Sequence, residues 1–409
     1  MSASPWIVCQ LGAREHYAVA RALQQCGALE CLVTDLWVPP AHPWANLPVL
    51  GDLPAARRMR GRHHQDLADA RVLAPNVRTM VFEALHRLRR QTGSADLLTR
   101  YAAFQKSALR LLEREYPVAS GPRTLFSYSN TALELFRFAK QRGWQTVLGQ
   151  VDPGPEEQRI VAAEHRRYPA LATHWQPAPP SYWEGWHQEI ALADRIIVNS
   201  TWSRDCLLKE GVSAEKLEIV PLVYTSEPRK RPGRAADGPL QVLFLGQISL
   251  RKGVGRLLDA MRLLKDEPIA LTLAGPTTID PSAWADLPNV RWTGPVPRSD
   301  VGRLYDAADV FILPTLSDGF ALTQLEALAR GLPVIASKQC GNAVIDGQNG
   351  WIFQDLQPET IANTLRALDV TALKEPVRIA GKFGMGKLGS ALLNPSNSSP
   401  RNSNLRCEG

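Results

Sequence analysis

Two runs of alternating short apolar strands and amphipathic helices, separated by one stretch of proline, glycine and charge, constrain this chain more than anything else in it. Trp6-Ile-Val-Cys-Gln-Leu11 is an apolar run ending at Gly12. The helix expected after it buries Tyr17, Ala20, Ala22 and Leu23 and stops near Gly27. Leu29–Thr34, Thr124–Ser129, Thr146–Val151 and Arg195–Ser200 read as further strands, with helices around Asp96–Glu115, Thr131–Gln141 and Ser181–Leu192. Such alternation implies a parallel sheet covered on both faces. The pattern breaks at Ser226–Pro239 and restarts with Val242–Gly246. Val254, Leu257, Leu258, Met261 and Leu264 then mark a helix by spacings of three and four, and Ala270–Ala274, Val290–Thr293, Val310–Leu313 and Val334–Ala336 supply strands. A chain of 409 residues is too long for one ordinary core. The expected architecture is α/β, two Rossmann-like domains whose parallel sheets face a central cleft. Residues 1–225 form the first domain, 226–239 a linker, 240–370 the second domain, and 371–409 an atypical, disordered tail. Residues 39–62 read as an extended loop or insertion.

Composition narrows the function classes. No apolar run approaches the roughly 20 residues that span a bilayer, and the N-terminus lacks a basic segment before its first apolar run, so a cytoplasmic protein without a signal peptide is expected. Six cysteines at 9, 26, 31, 206, 340 and 407 make no Cys-x-x-Cys pair and read as thiols of a reducing compartment. The net charge of +7 concentrates in Arg57–His64 and His86–Arg90. Those runs are either a solvated surface or, for 57–64, a peripheral contact with an anionic membrane or acidic acceptor. No nucleic-acid motif accompanies them.

The richest chemistry lies in Ser317-Asp-Gly-Phe-Ala-Leu-Thr-Gln-Leu-Glu326, read as a glycine-bearing loop entering a helix. Amides at a helix start hold phosphate, whereas carboxylates accept from sugar hydroxyls. That pairing suits a nucleotide sugar. Two bland alternatives use the same residues. Thr323 and Glu326 spell a capping box, and Asp318 before Gly319 spells an Asx turn.

Asp318 through Glu326 resembles the Glu-x7-Glu signature of the retaining family-4 glycosyltransferases, which have the GT-B fold. The surroundings resemble that family in order and spacing: Ala193–Ser200, Gly246 through Lys252-Gly253, Ala274-Gly275, Gly294 to Val296, Leu304–Asp309, Gly331–Ser337 and Asp346–Gly350. The resemblance implies a donor site made by Gly12, Gly246, Gln247, Lys252, Val296, Glu326 and the backbone of Gly319, Phe320, Ala321 and Leu322. It implies that Glu326 binds ribose hydroxyls and that Lys252, aided by Arg251, neutralises the leaving diphosphate. Asp318 stands where the family has glutamate, Gln247 where it often has arginine, and Asp152 where a histidine is common. Asp152 either replaces that histidine or caps the turn before Pro153. His16 is assigned to the acceptor or a phosphate, or to plain solvent.

The implied activity is transfer of a glycosyl group from a nucleoside-diphosphate sugar to a glycan, lipid-linked or small-molecule acceptor, with retention and without metal or cofactor. A sugar-nucleotide epimerase and a non-catalytic sugar-nucleotide-binding protein are the competing readings. Neither half holds the Gly-x-Gly-x-x-Gly of a dinucleotide oxidoreductase.

Overall fold

The computed structural model describes residues 4–40, 61–88, 93–117, 121–171, 175–224, 238–370, 373 and 383–394. The expected linker up to residue 237 and most of the insertion at 39–62, with Arg57, Arg58 and Arg60, lie outside them.

The first lobe is a seven-stranded parallel sheet in the order β3-β2-β1-β4-β5-β6-β7. Its strands are β1 (Trp6–Gln10), β2 (Leu29–Thr34), β3 (Val72–Leu73), β4 (Thr124–Tyr128), β5 (Gln145–Gly149), β6 (Arg195–Val198) and β7 (Leu217–Ile219). The helices are α1 (Ala18–Gln25), α2 (Asn76–Leu88), α3 (Ser94–Glu115), α4 (Leu133–Gln141), α5 (Pro155–Arg167), α6 (Pro180–Leu192) and α7 (Thr201–Lys209). Strands β1, β4 and β5 are almost wholly buried, as expected for strands covered on both faces. One cluster around Ile7, Phe136 and Trp144 and another around Val8, Tyr17 and Phe126 fill the two faces.

The second lobe is a six-stranded parallel sheet in the order β10-β9-β8-β11-β12-β13. It comprises β8 (Leu240–Leu245), β9 (Ile269–Ala274), β10 (Val290–Trp292), β11 (Val310–Leu313), β12 (Val334–Ala336) and β13 (Gly350–Ile352). Helices α8 (Val254–Leu263), α9 (Arg298–Ala307), α10 (Leu322–Ala329) and α11 (Pro358–Arg366) cover it. Strands β3, β7 and β13, of two or three residues, carry too little periodicity to be read from sequence.

The disordered tail expected over 371–409 is corrected at 383–394, where α12 (Met385–Leu393) returns to the first lobe and packs on α1. Met385, Leu388 and Leu392 sit on one face at spacings of three and four and are buried. Gly389 lets the backbones approach, since a Cβ there would lie 2.7 Å from Cys26 Sγ. Tyr224, after β7, and Phe383, just before α12, lie side by side, Tyr224 N–H donating to the Phe383 carbonyl at 3.0 Å.

Side chains also join the lobes. Arg256 donates through Nε and Nη2 to both oxygens of buried Glu164 at 2.8 and 2.7 Å. Tyr168 Oη donates to Asp259 at 2.7 Å, and Trp202 Nε1 donates to Ser317 Oγ at 3.1 Å. Among the described residues no helix is long and apolar enough to cross a membrane.

Candidate functional site

Both sheets turn their carboxyl ends toward the gap between lobes, the edge at which ligands of such sheets bind. On the second-lobe side, β8 runs into Gly246, exposed Gln247 and a single 3-10 turn, Leu250–Lys252. Gly253 closes that turn in the left-handed region, with φ +73°. A Cβ there would fall 1.8 Å from the Pro314 carbonyl oxygen, so only glycine lets the turn rest on the loop after β11. The consequence is electrostatic. Lys252 Nζ forms an ion pair with Asp318, and Arg251 Nη1 lies 3.7 Å from the same carboxylate while donating to the Ser317 carbonyl at 3.2 Å. Burial pushes the Asp318 carboxyl up, but Lys252 and Arg251 pull it below the usual carboxylate range, so it is ionised.

The loop from Ser317 to Leu322 is held from beneath by the residues after β12. Asp318 N–H donates to the Gln339 carbonyl, and Ala321 N–H to the Cys340 carbonyl, both at 2.9 Å. The Ala321 amide is therefore spent inside the protein, which corrects its assignment as a ligand donor. The amides of Phe320, Leu322 and Thr323 have no acceptor among the described residues, and they cluster at the N-terminus of α10. The Phe320 ring is buried against Phe383, centroids 5.8 Å apart.

The capping box is also corrected. Ala321 is the N-cap residue and makes no side-chain cap, while Thr323 lies inside the helix. Freed from capping, the partly exposed Glu326 accepts a hydrogen bond from Tyr305 Oη at 2.9 Å. Tyr305 is a buried residue of α9 and fixes where that carboxylate points. Val296, just before α9, packs partly buried against the second-lobe core.

The first-lobe side is built from three separate stretches. Asp152, after β5, accepts from Gly154 N–H at 2.9 Å, which makes it the cap of the turn around Pro153. It also accepts from Gln150 Nε2 at 3.1 Å, and Gln150 in turn accepts from the buried Trp186 indole at 3.1 Å. Burial raises the Asp152 carboxyl, opposed by the Gly154 amide and by Arg251 across the gap. The capping reading of Asp152 therefore holds, and the same carboxyl lies within the field of the cationic side chain of the other lobe. Trp186, with Trp183 donating to Gln158 at 3.2 Å, belongs to the packing behind the wall.

Glu157, which with Glu156 is expected by default to be solvated but sits on a helix that could face the cleft, is a site residue that the sequence-based site assignment does not include. Its carboxylate stands 3.6 Å from Arg251 Nη1. Burial pushes it up to about 7, against the pull of Arg251 and with the help of Asp152 and Asp318. Its Oε2 is buried without a hydrogen-bond partner among the described residues. The available signal was position: a helix that starts two residues after Pro153, at the carboxyl end of β5, presents its first turn to the cleft. Glu156 instead pairs with Arg159 at 2.9 Å in solvent.

The turn after β1 is unusual. Glu15, His16 and Tyr17 all have positive φ, at 50°, 50° and 60°. For non-glycine residues this costs about 1–2 kcal/mol each. Gln10 Nε2, donating to the carbonyls of Gly12 and Arg14 at 3.0 and 2.9 Å, holds the turn, and Gly12 N–H donates to Asp35 at 2.8 Å. His16, assigned to acceptor, phosphate or solvent, is exposed and meets Arg298 of the second lobe, Nε2 to Nη1 at 3.1 Å. Burial and the nearby Arg298 lower its pKa, so the neutral ring accepts that hydrogen bond.

Arg251, Lys252, Asp318, Asp152 and Glu157 thus form one charged cluster across the gap, with Gly319 where the lobes touch. A Cβ on Gly319 would lie 2.2 Å from the Val151 carbonyl oxygen. Glu326 sits apart, on Tyr305. Among the described residues no group of three or more His, Cys, Asp or Glu side chains is placed to hold a metal ion.

Residues 239–369, almost the whole second lobe, match the family described as glycosyl transferases group 1. The sucrose-phosphate synthase of Thermosynechococcus elongatus superposes with a TM-score of 0.58 over 96% of both chains at 17% identity. The Anabaena protein HepE, solved with UDP and glucose, superposes with a TM-score of 0.58 over 97% of this chain and 100% of that one at 15% identity. The fold is GT-B. A D-inositol 3-phosphate glycosyltransferase of Streptomyces avermitilis is 30% identical over 259 residues, 54% of this chain and 55% of the relative. The GT-B chain described here therefore spans about half the length of that relative.

Proposed function

We propose that this GT-B protein is a glycosyltransferase that moves a sugar from a nucleoside-diphosphate sugar to an acceptor, with retention at the anomeric carbon and without a metal ion. The observation that carries the reading is the cationic turn Arg251-Lys252 beside the unspent amides of Phe320, Leu322 and Thr323. Positive charge and fixed N–H dipoles at one point stabilise the negative charge that grows on a departing diphosphate. The group 1 match over this lobe and the UDP and glucose held by a protein of the same fold support a nucleotide-sugar substrate.

In this reading Lys252 leaves Asp318 for the diphosphate, and Asp318 turns to a hydroxyl of the donor sugar. Glu326, oriented by Tyr305, takes the ribose hydroxyls. Asp152 and Glu157 close the site from the first lobe, and the leaving phosphate oxygen receives the acceptor proton on the face it departs from. The acceptor is a glycan, a lipid-linked sugar or a small molecule. A membrane-apposed acceptor is supported by α2, where Val77, Val81 and Leu85, four residues apart, are 65%, 53% and 57% exposed on one face. Together with the buried thiols Cys9, Cys31, Cys206 and Cys340, this favours the cytoplasmic side of a membrane.

The test is a panel of nucleoside-diphosphate sugars incubated with the protein, followed by release of free nucleotide and by NMR of the product anomer. Release from one donor, an unchanged anomeric configuration, and loss in Lys252→Ala and Glu326→Ala are expected. A rearranged sugar still joined to its nucleotide would mean an epimerase. Binding without either change would mean a non-catalytic protein.

A further inference from the structure

We propose that a second, cationic cavity in the first lobe, between α2 and α3, binds a phosphate group carried by the acceptor. The inference rests on the glycosyltransferase reading for the word acceptor, but the cavity and its charge stand independently of it.

The cavity encloses about 380 Å³. Its floor is Leu11 and Asp35, the residues immediately after β1 and β2, so it opens at the ligand-binding edge of the sheet. Five cations line it, Arg62, Arg78, Arg100, Lys106 and Arg110, against two carboxylates, Asp35 and Glu83. Those two acids are already engaged. Arg62 Nη1 lies 3.1 Å from Asp35, and Arg100 pairs with Glu83 and, at 2.9 Å, with Asp96. Arg78, Lys106 and Arg110 make no ion pair or hydrogen bond among the described residues. Three unpaired cations around one concavity, next to two pairs that hold its wall in place, are matched by an anion of two or more charges.

The remaining lining combines the hydroxyls of Thr79 and Ser107 with apolar side chains, chiefly Phe82 and Phe104, which suit the flat face of a ring or the start of a lipid chain. The donor's own diphosphate is held elsewhere, by the second lobe. The sheet order β2-β1-β4-β5 puts the cavity floor two strand spacings at Leu11 and three at Asp35, about 10 to 15 Å, from the strand that leads to Asp152. That separation fits one substrate with its reacting hydroxyl near Asp152 and its phosphate between α2 and α3.

A soluble polyol or sugar phosphate and a lipid are the two sources of such a phosphate, and one experiment separates these. Inorganic phosphate is titrated calorimetrically into full-length Lys252→Ala, in which the donor cradle no longer competes, and into the same protein with Arg78→Ala, Lys106→Ala and Arg110→Ala added. Affinity is expected to fall about tenfold or more with the three changes and to stay unchanged with Lys265→Ala, an exposed cation of the second lobe. The three side chains have no partners to lose, so melting temperatures of the parent and the variant should agree. Co-sedimentation with phosphatidic acid vesicles, but not phosphatidylcholine vesicles, that disappears with the same three changes assigns the phosphate to a lipid. Phosphate binding without co-sedimentation assigns it to a soluble acceptor. Equal phosphate affinity with and without the three cations overturns the proposal. Failure of the glycosyltransferase reading would show separately, as a wild-type protein that binds no nucleotide sugar.

Discussion

The two walls of the cleft are made in opposite ways. The second-lobe wall is local. Residues 246–253 and 317–326, two loops each following its own strand, supply the cationic turn, the carboxylates and the free amides. The first-lobe wall is assembled from Gly12–Tyr17, Asp152 and Glu157, and its parts are held by partners far away in sequence, such as Trp186 behind Gln150. A site for an invariant group, a diphosphate, can be written into short stretches of chain. A wall that must suit one particular partner is built from the tertiary fold.

The comparison is broken most severely through the local wall. Gly253→Ala sets a methyl against the Pro314 carbonyl in a left-handed conformation, and should destabilise the second lobe by about 3 kcal/mol or more. Thermal unfolding followed by tryptophan fluorescence checks this, and an unchanged melting temperature would show that the turn can move. Next comes the joint between the walls. Arg256→Ala leaves Glu164 buried in the first lobe without its bidentate partner, a loss of about 3 kcal/mol for a buried pair broken on one side. Part of that loss should appear as lobe separation, visible as a larger radius of gyration in small-angle scattering. A destabilised variant of wild-type dimensions would assign the pair to one lobe's stability alone.

The smallest effect concerns the dispersed wall and depends on pH. The Glu157 carboxyl, held near 7 by burial, binds its proton more tightly in the folded chain than in the unfolded one, where it titrates near 4.5. Its contribution to stability is complete below the unfolded value and is lost as pH rises through about 7. Glu15 and Glu189, also near 7 through burial, act in the same sense. From pH 5 to pH 8 the wild type should therefore lose a few °C more in melting temperature than Glu157→Gln. Parallel curves would mean that Glu157 is ionised throughout, clamped by Arg251.

What could be read in the sequence follows the same division. Strands five or six residues long and the helix pattern of residues 254–264 were legible, because each depends on short-range periodicity; Lys252 and Asp318 were placed in one site by family resemblance rather than by their own spacing. Glu157 stayed open between solvent and cleft, because its surroundings include Arg251 of the other lobe. Tyr305, the partner of Glu326, lay in plain view within Leu304–Asp309, but nothing in its spacing says which side chain it will meet. The helix Met385–Leu393 was hidden by the low-complexity residues after it, although Met385, Leu388 and Leu392 already had the spacing of a buried face. Of the basic stretch 57–64, the described part is engaged internally: Arg62 with Asp35, the His63 ring 5.1 Å from Trp37, and His64 Nδ1 accepting from Asp66 N–H at 3.2 Å.

The central claim is that the second lobe's cationic turn and free amides grip a nucleoside diphosphate. Calorimetric titration of wild type and Lys252→Ala with UDP, GDP, ADP and TDP tests it most directly. One nucleotide should bind the wild type, and its affinity should fall about tenfold or more in the variant, the loss of one charge-assisted contact to phosphate. Equal affinity in both proteins, or no binding of any nucleotide to the wild type, would contradict the account.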